Sequence, residues 1–149
     1  MQAQILAPAA VLIAWSIVML FWIMFARFPA MKAMGGGVGK AKPGARGQDL
    51  EGRIPDRAVW PAHNFTHLME QPTIFYPAVI ILAIMGAAAG DVLAAWVYVA
   101  LRIAHSIWQA TVNKVSVRFL LFLLSSLALV YLAVRAVIAT LFHDPAVLV

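Results

Sequence analysis

The sequence predicts an all-α integral membrane protein, a four-transmembrane-helix bundle with both termini on the non-cytoplasmic side. Of its 149 residues, 64% are hydrophobic and only 11% are charged, whereas a soluble domain carries about 25% charged residues. Long apolar segments, each able to cross about 30 Å of hydrocarbon, follow one another along the chain. The basic residues concentrate in the connections between them, which the positive-inside rule assigns to the cytoplasm.

The predicted spans lie within a single membrane domain of residues 1–149. They cover about residues 5–28, 61–89, 92–112 and 117–141. The first span has no basic residue before it and is too long for the apolar part of a signal peptide, so we expect it to remain in the membrane. The last span leads into a tail, residues 143–149, that we expect on the non-cytoplasmic side.

A basic connection of residues 29–60 joins the first two spans. It holds more than half of the Lys and Arg residues, which predicts a cytoplasmic loop, and its Gly and Pro content is typical of a mobile one. The loop contains GVGK, which suggests a phosphate-binding loop. That motif would require glycine at Met34 and a hydroxyl group at Ala41, and no strand precedes it, so we reject this interpretation.

The second span carries Pro72 and Pro77, which predict a kink because proline removes a backbone hydrogen bond inside a helix. The sequence GAAAGD at residues 86–91 then makes a very short turn into the third span. Such a short connection predicts that the second and third spans are antiparallel neighbours.

Composition excludes several classes of protein. The chain has no cysteine, which excludes a disulfide framework, a thiolate metal site and a cysteine nucleophile. The net charge of +5 is small, and the basic residues are not interleaved with aromatic residues on a polar surface. We therefore expect no nucleic-acid partner.

Nearly all the polar groups predicted to lie within the membrane fall on two helical faces. Each set follows the spacing of one side of a helix. A charge at the bilayer centre costs about 3 kcal/mol on insertion scales, so it generally has a partner and a use. The set on the second span consists of His63, His67 and Glu70. The set on the third span consists of Tyr98, Arg102, His105 and Gln109.

Depth in the membrane predicts a Glu70–Arg102 ion pair. Glu70 lies about eight residues from the cytoplasmic end of its span and Arg102 about ten from the end of its own, which places them within about 3 Å of the same level. One interpretation is that such a pair only holds two helices together, a role worth about 0.6 kcal/mol on average. The number of polar groups on both faces exceeds what that role requires.

A metal site is the next interpretation of the second span. His63, His67 and Glu70 are residue types that bind zinc. The motif H-E-x-x-H fails here, because Asn64 stands in place of the glutamate that the motif requires. We therefore expect no metal.

Arg118 begins the fourth span at the cytoplasmic interface. It is either a functional cation or an anchor whose long side chain reaches the lipid phosphates. Lys114 and Arg135 fit the role of anchor better.

These segments resemble the MAPEG family, the membrane-associated proteins in eicosanoid and glutathione metabolism. The matching elements are HLMEQPTIFYP around Glu70, the Arg102-Ile-Ala-His105 segment, and Asn113-Lys114 followed by Arg118. The resemblance covers about residues 60–140 and is greatest to a bacterial subgroup with N-F-x-N-L-x-E-x-P-x-x-F-Y. It implies a homotrimer of four-helix subunits, with glutathione bound between neighbouring subunits and open to the cytoplasm.

The resemblance also implies roles for individual residues. Glu70 would bind the amino group of glutathione, Arg102 would be an intramembrane pairing residue, and Arg118 would stabilise the glutathione thiolate. A cation beside a thiol favours the thiolate, which is the nucleophile. The chain departs from the family pattern R-x-x-x-N-x-x-E, because His63 and His67 stand at its arginine and asparagine positions. Gln109 stands where members often have tyrosine.

The leading prediction is a glutathione-dependent transferase or peroxidase in a bacterial-type inner membrane, acting on lipophilic electrophiles that enter from the lipid bilayer. Arg118 would be catalytic, and a further set of residues would bind glutathione: His63, His67, Glu70, Arg102, His105 and Gln109. One alternative is a non-catalytic module that binds lipid or another hydrophobic ligand, or that serves as an accessory subunit of a larger membrane complex. A third is an ion or proton pathway along His67, Glu70, Arg102 and His105.

Overall fold

The computed structural model describes residues 2–142, so Met1 and the predicted outer tail, residues 143–149, lie outside the described residues. The described part is helical and contains no strand. Its helices are α1 (Gln2–Ala33), α2 (Asp56–Glu70), α3 (Pro72–Met85), α4 (Ala89–Thr111) and α5 (Val115–Leu141). Because α2 and α3 form one span, four segments are long and apolar enough to cross a membrane. This confirms the predicted all-α fold with four membrane-spanning segments.

Helix α1 continues past the Phe28-Pro29 step, where the sequence predicted its end. Pro29 lies inside the helix, which runs on to Ala33. A proline removes only one backbone hydrogen bond, and the turn after it gains packing in return. Ala30 and Met31 pack against a small buried cluster of Ile54, Ala58 and Val59 at the start of α2.

The connecting loop, defined here as residues 34–55, is folded rather than irregular. It contains two 3₁₀ turns, Val38–Lys40 and Gly47–Leu50. Leu50 and Ile54 belong to the small apolar cluster that joins the ends of α1 and α2. The loop therefore lies against one end of the bundle.

The second span is interrupted between α2 and α3. Gln71 has helical dihedral angles, φ −63° and ψ −38°, but Pro72 has no N–H group to continue the hydrogen-bond pattern. The Ile74 N–H donates instead to the Gln71 carbonyl at 3.0 Å, and the Thr73 hydroxyl donates to the Glu70 carbonyl. The Gln71 side chain donates to the Ser126 hydroxyl of α5 at 2.7 Å, which ties the interruption to a neighbouring helix.

The core runs along the bundle axis and is built from all the helices. Helix α4 has its largest interface with α5, α5 also packs on α3, and α1 packs on α2, α3 and α4. Phe75 and Tyr98 stack at the centre with ring centroids 4.4 Å apart. Many large apolar side chains on α1 and α5 face outward and are exposed, as expected for surfaces that contact lipid or another subunit.

A partly buried ion pair lies at the end of the bundle near the α3–α4 turn. Gly86 ends α3 with a left-handed φ of +96°, a conformation that glycine adopts without strain. Asp91 is 0% exposed and accepts hydrogen bonds from the Ala88 N–H at 2.9 Å and from Arg135 Nε at 2.9 Å. The interpretation of Arg135 as a lipid-facing anchor is therefore wrong, because its side chain turns inward to neutralise Asp91.

Candidate functional site

The polar face predicted on the third span is buried inside the bundle. Tyr98, Arg102, His105 and Gln109 are 0%, 1%, 4% and 1% exposed. The helical spacing predicted that they share one side of α4, and this side contacts α2 through His67 and α3 through Phe75. The structure therefore brings this set to the second span, where the other polar set lies.

The predicted Glu70–Arg102 ion pair is not formed. Arg102 Nη2 donates to the backbone carbonyl of His67 at 2.7 Å. The Glu70 carboxylate, whose side chain is 58% exposed, instead accepts a hydrogen bond from His67 Nδ1 at 2.9 Å. Glu70 is the last residue of α2, ahead of the interruption, and its carboxylate turns toward the surface. Equal depth therefore does not bring the two charges into contact, because the helix directs Glu70 away from α4.

His67 connects the two polar faces. Its backbone carbonyl binds Arg102, its ring contacts Glu70, and the same ring meets His105 edge to face with centroids 6.1 Å apart. Four predicted site residues thus form one contiguous group at the level of the α2–α3 interruption. Its members are His67, Glu70, Arg102 and His105.

A second polar contact joins α1, α2 and α4, and sequence reasoning missed it. The Ser106 hydroxyl accepts hydrogen bonds from Trp15 Nε1 at 2.9 Å and from Asn64 Nδ2. Asn64 and Ser106 are both 0% exposed. Each directly follows a predicted site histidine along the chain, but spacing alone does not reveal that they meet. Their contact locks the rotation of α2 against α4 and so positions the His67–Arg102 contact.

His63 lies at the surface of α2, about one helical turn before His67. Its Nε2 atom lies 2.8 Å from Glu51 Oε1 of the connecting loop, and both side chains are 46% exposed. The pair borders a cleft of about 550 Å³ between α1, α2 and the loop, which His67 also lines. His63 and His67 therefore share this cleft, although His63 makes no contact with α4.

Arg27 closes the α1 side of the same cleft. Its Nη1 atom would lie only 2.5 Å from a Cβ atom at Gly47, so the loop backbone approaches the guanidinium group closely and a larger residue there would displace the end of the Arg27 side chain. Arg27 Nε is buried without a hydrogen-bond partner. The cleft thus combines one arginine with two histidines, a set suited to a ligand with carboxylate groups.

Several buried polar atoms at the site have no hydrogen-bond partner within residues 2–142. Buried polar groups have a hydrogen-bond partner in more than about 90% of cases, so these atoms are free to take a further partner. Gln109 Oε1 belongs to this set. The unpaired atoms near α4 are Asn64 Oδ1, Gln71 Oε1, Tyr98 Oη, Arg102 Nε, Arg102 Nη1 and Gln109 Oε1.

Arg118 lies apart from the other predicted site residues, in the first turn of α5. Its Nη1 atom donates to Asn113 Oδ1 at 2.7 Å, and Asn113 adopts a left-handed φ of +55° in the short α4–α5 turn. The ion pairs among the described residues involve other side chains. Arg118 is therefore a half-buried cation that is oriented by an amide and not neutralised by a carboxylate.

The described residues contain no group of three or more potential metal ligands close enough to hold an ion. His63 and His67, the residues considered for zinc, contact separate glutamates. His63 therefore contacts the connecting loop, whereas His67 contacts Arg102 and His105 of α4.

Comparison with known proteins gives one match. A family model described as the MAPEG family matches residues 5–138 of the chain. The match extends from the start of α1 into the last turns of α5 and includes every predicted site residue. Searches of curated proteins and of solved structures give no significant match.

Proposed function

The chain belongs to the MAPEG family of multi-pass membrane proteins, and from this we propose that it is a glutathione-dependent transferase or peroxidase that acts on lipophilic electrophiles. In this proposal the protein is a homotrimer in a bacterial-type inner membrane, and its sites lie between subunits and open to the cytoplasm. The electrophile reaches the site from the surrounding membrane lipids. The transmembrane fold suits such a substrate, because it dissolves in the same hydrocarbon that surrounds the helices.

The observation that carries the proposal is the state of Arg118. Its guanidinium group is held by Asn113 at 2.7 Å and has no carboxylate partner among residues 2–142. A positioned cation with spare N–H donors stabilises an anion far better than one already neutralised. Glutathione supplies a thiol, and the role of Arg118 is to hold its sulfur as the thiolate and to orient it.

The cleft beside His63 fits the rest of a charged tripeptide. Arg27, His63 and His67 provide donors for its carboxylates, while Glu70, more than half exposed, is available to its ammonium group. In this structure Glu51 pairs with His63, and Glu70 pairs with His67. Ligand carboxylates must therefore replace these glutamates, an exchange that costs little because both pairs are exposed.

A second candidate is a non-catalytic module that binds lipid or another hydrophobic ligand, or an accessory subunit of a larger membrane complex. The observation in its favour is the same pairing of His63 with Glu51 and of His67 with Glu70. In the family pattern an arginine and an asparagine stand at these positions, and an arginine would hold a carboxylate more strongly than a histidine does. Histidines at these positions would hold the carboxylates of glutathione more weakly, which favours a role without glutathione.

Calorimetric titration of the purified protein with glutathione separates these functions. We expect millimolar or tighter binding, with the ultraviolet absorbance of a thiolate in the complex at neutral pH. Arg118→Ala should abolish the thiolate signal and lower conjugation of a lipophilic electrophile by about 100-fold or more, the usual effect of removing one electrostatic stabiliser. Lys114→Ala is the matched control, since this exposed cation lies on the same turn.

The two functions predict opposite results. Conjugation that survives in Arg118→Ala would remove the catalytic role of this residue. Absence of glutathione binding in protein with a normal thermal unfolding transition would favour the non-catalytic module. Equal losses in Arg118→Ala and Lys114→Ala would show that positive charge at this membrane surface matters, rather than the orientation that Asn113 imposes.

A further inference from the structure

We propose that the connecting loop forms a binding site for the phosphate-bearing headgroup of an anionic phospholipid. A cavity of about 720 Å³ lies between the loop and the end of α1, within the range of roughly 300–1,000 Å³ of small-molecule sites. It adjoins the cleft beside His63, and Gly47 lines both, but its charged lining residues are different ones. The inference does not depend on glutathione, and it concerns residues with no part in the proposed reaction.

The first argument is the charge of the cavity. Lys40, Lys42, Arg46 and Arg53 line it, and Asp49 is the one carboxylate among its lining residues. Asp49 Oδ2 accepts the Arg46 backbone N–H at 2.8 Å and so caps the second 3₁₀ turn. The ion pairs found in residues 2–142 involve none of these four cations, whose donors therefore remain available to a phosphate.

The second argument is the position of the cavity relative to the membrane. Its floor includes Met31 and Met34, at the end of α1 where the apolar span gives way to the basic loop. Val38 on its rim is 68% exposed. Cations just outside the hydrocarbon lie at the level of lipid phosphates, and the apolar lining suits the glycerol and upper acyl chains. A soluble phosphate would use only the cations.

The third argument is that the loop is shaped before any ligand arrives. Lys40 Nζ donates to the Gly35 carbonyl at 2.9 Å, and the Ala45 N–H donates to the Lys42 carbonyl at 3.0 Å. Gly44 holds a left-handed φ of +81° within the turn of residues 42–45, which a residue with a side chain adopts only with strain. A preformed site loses less conformational entropy on binding than a flexible basic segment would.

The contrast with the neighbouring cleft supports the choice of ligand. There His63 is paired with Glu51, so acidic and basic groups alternate around a zwitterionic or peptide-like ligand. Around the loop cavity the cations outnumber the acid, and two of them are arginines, whose planar donors match phosphate oxygens in pairs. The two sites therefore differ in the charge of the ligand that each would accept.

The test is binding of phosphatidylglycerol to the full-length protein in micelles of a neutral detergent, followed by native mass spectrometry. Phosphatidylcholine and inorganic phosphate are titrated in parallel. The triple variant Lys42→Gln, Arg46→Gln, Arg53→Gln removes three cavity cations and leaves Lys40, which shapes the loop. The matched control is Lys32→Gln, Arg57→Gln, Lys114→Gln, which removes three exposed cations outside the cavity lining.

We expect the wild-type protein to prefer phosphatidylglycerol to both other ligands. The cavity triple variant should bind it at least tenfold more weakly than the control triple variant does, since each basic residue near an anionic headgroup contributes about fivefold. Thermal unfolding checks that the variants are folded. Should the triple variant fail to fold, the single variant Arg53→Gln replaces it, with an expected loss of about fivefold.

Three results would overturn the inference. Equal losses in the two triple variants would indicate a diffuse basic surface instead of a site. Inorganic phosphate bound as tightly as phosphatidylglycerol would identify a soluble anion as the ligand. Equal binding of phosphatidylcholine would show that the cavity does not recognise anionic charge.

Discussion

Arg102 and Arg135 both turn toward the bundle, but their guanidinium groups differ in how many of their donors have a partner. Arg135 meets the fully buried Asp91 through Nε at 2.9 Å and Nη2 at 3.4 Å. Arg102 is 1% exposed and makes one hydrogen bond, to the His67 carbonyl at 2.7 Å, while its Nε and Nη1 atoms have no partner among residues 2–142. At the α3–α4 end of the bundle, the buried carboxylate is thus paired with a cation. Near the interruption of the second span, the buried cation Arg102 keeps donors without a partner among residues 2–142.

The difference separates structural charge from charge that is available to another molecule. A buried ion pair with its hydrogen bonds completed holds two helices in register. A buried cation with unpaired donors retains a cost of desolvation, and such groups concentrate where a protein binds something. Arg102 belongs to the second kind. The half-buried Arg118, which donates to an amide and has no carboxylate partner among residues 2–142, is also available to an anion.

The largest effect on stability should come from Arg135→Met. It leaves the buried Asp91 carboxylate without its cation, so we expect a loss in the free energy of unfolding that is larger than for either variant below. Denaturant titration in mixed micelles measures it. The double change Asp91→Asn, Arg135→Met removes the uncompensated charge and should recover at least half of the loss. A double variant as unstable as the single would show that packing, rather than charge, is responsible.

Arg102→Met should have a smaller effect, within about 1 kcal/mol and of either sign. The variant loses one hydrogen bond but also removes a buried charge that is not fully paired, and such replacements are often neutral or stabilising. The same denaturant titration applies, in protein of measured oligomeric state. A loss greater than 2 kcal/mol would contradict the view of Arg102 as an unsatisfied group and would point to a partner supplied by another subunit.

The smallest effect should come from Glu70→Gln. Its carboxylate is 58% exposed and contacts only the nearby His67 ring, and exposed pairs of this kind contribute between about 0 and 1 kcal/mol. We expect a change below about 0.5 kcal/mol in unfolding free energy. Glutathione affinity is the informative second measurement, since the proposal gives Glu70 a role in binding. A strong loss of stability would revive the direct contact with Arg102.

Much of the fold and part of the site could be predicted from the sequence. Hydropathy and length identify the spans, because the bilayer demands about 20 apolar residues per crossing helix. Helical spacing placed Tyr98, Arg102, His105 and Gln109 on one face, and burial of all four confirms it. The match to the MAPEG family over residues 5–138 confirms the resemblance on which the functional proposal rests.

The partners of these polar groups were harder to predict. Counting residues from the membrane edge placed Glu70 and Arg102 at one depth, but each residue also turns about 100° around its helix. The Trp15–Ser106–Asn64 contact joins three helices and leaves no periodic pattern. The Asp91–Arg135 pair did leave a signal, since both charges lie near the same end of adjacent predicted spans.

By itself, the sequence determined the membrane class, the number of spans and which residues carry the polar faces, because these depend on composition and on a repeat along one helix. Only the tertiary structure decided which donor meets which acceptor. A hydrogen bond requires atoms within about 3 Å and a favourable direction, whereas spacing along a helix locates a side chain only to about one turn of 5.4 Å. That is why Arg102 contacts the His67 carbonyl and Arg135 contacts Asp91.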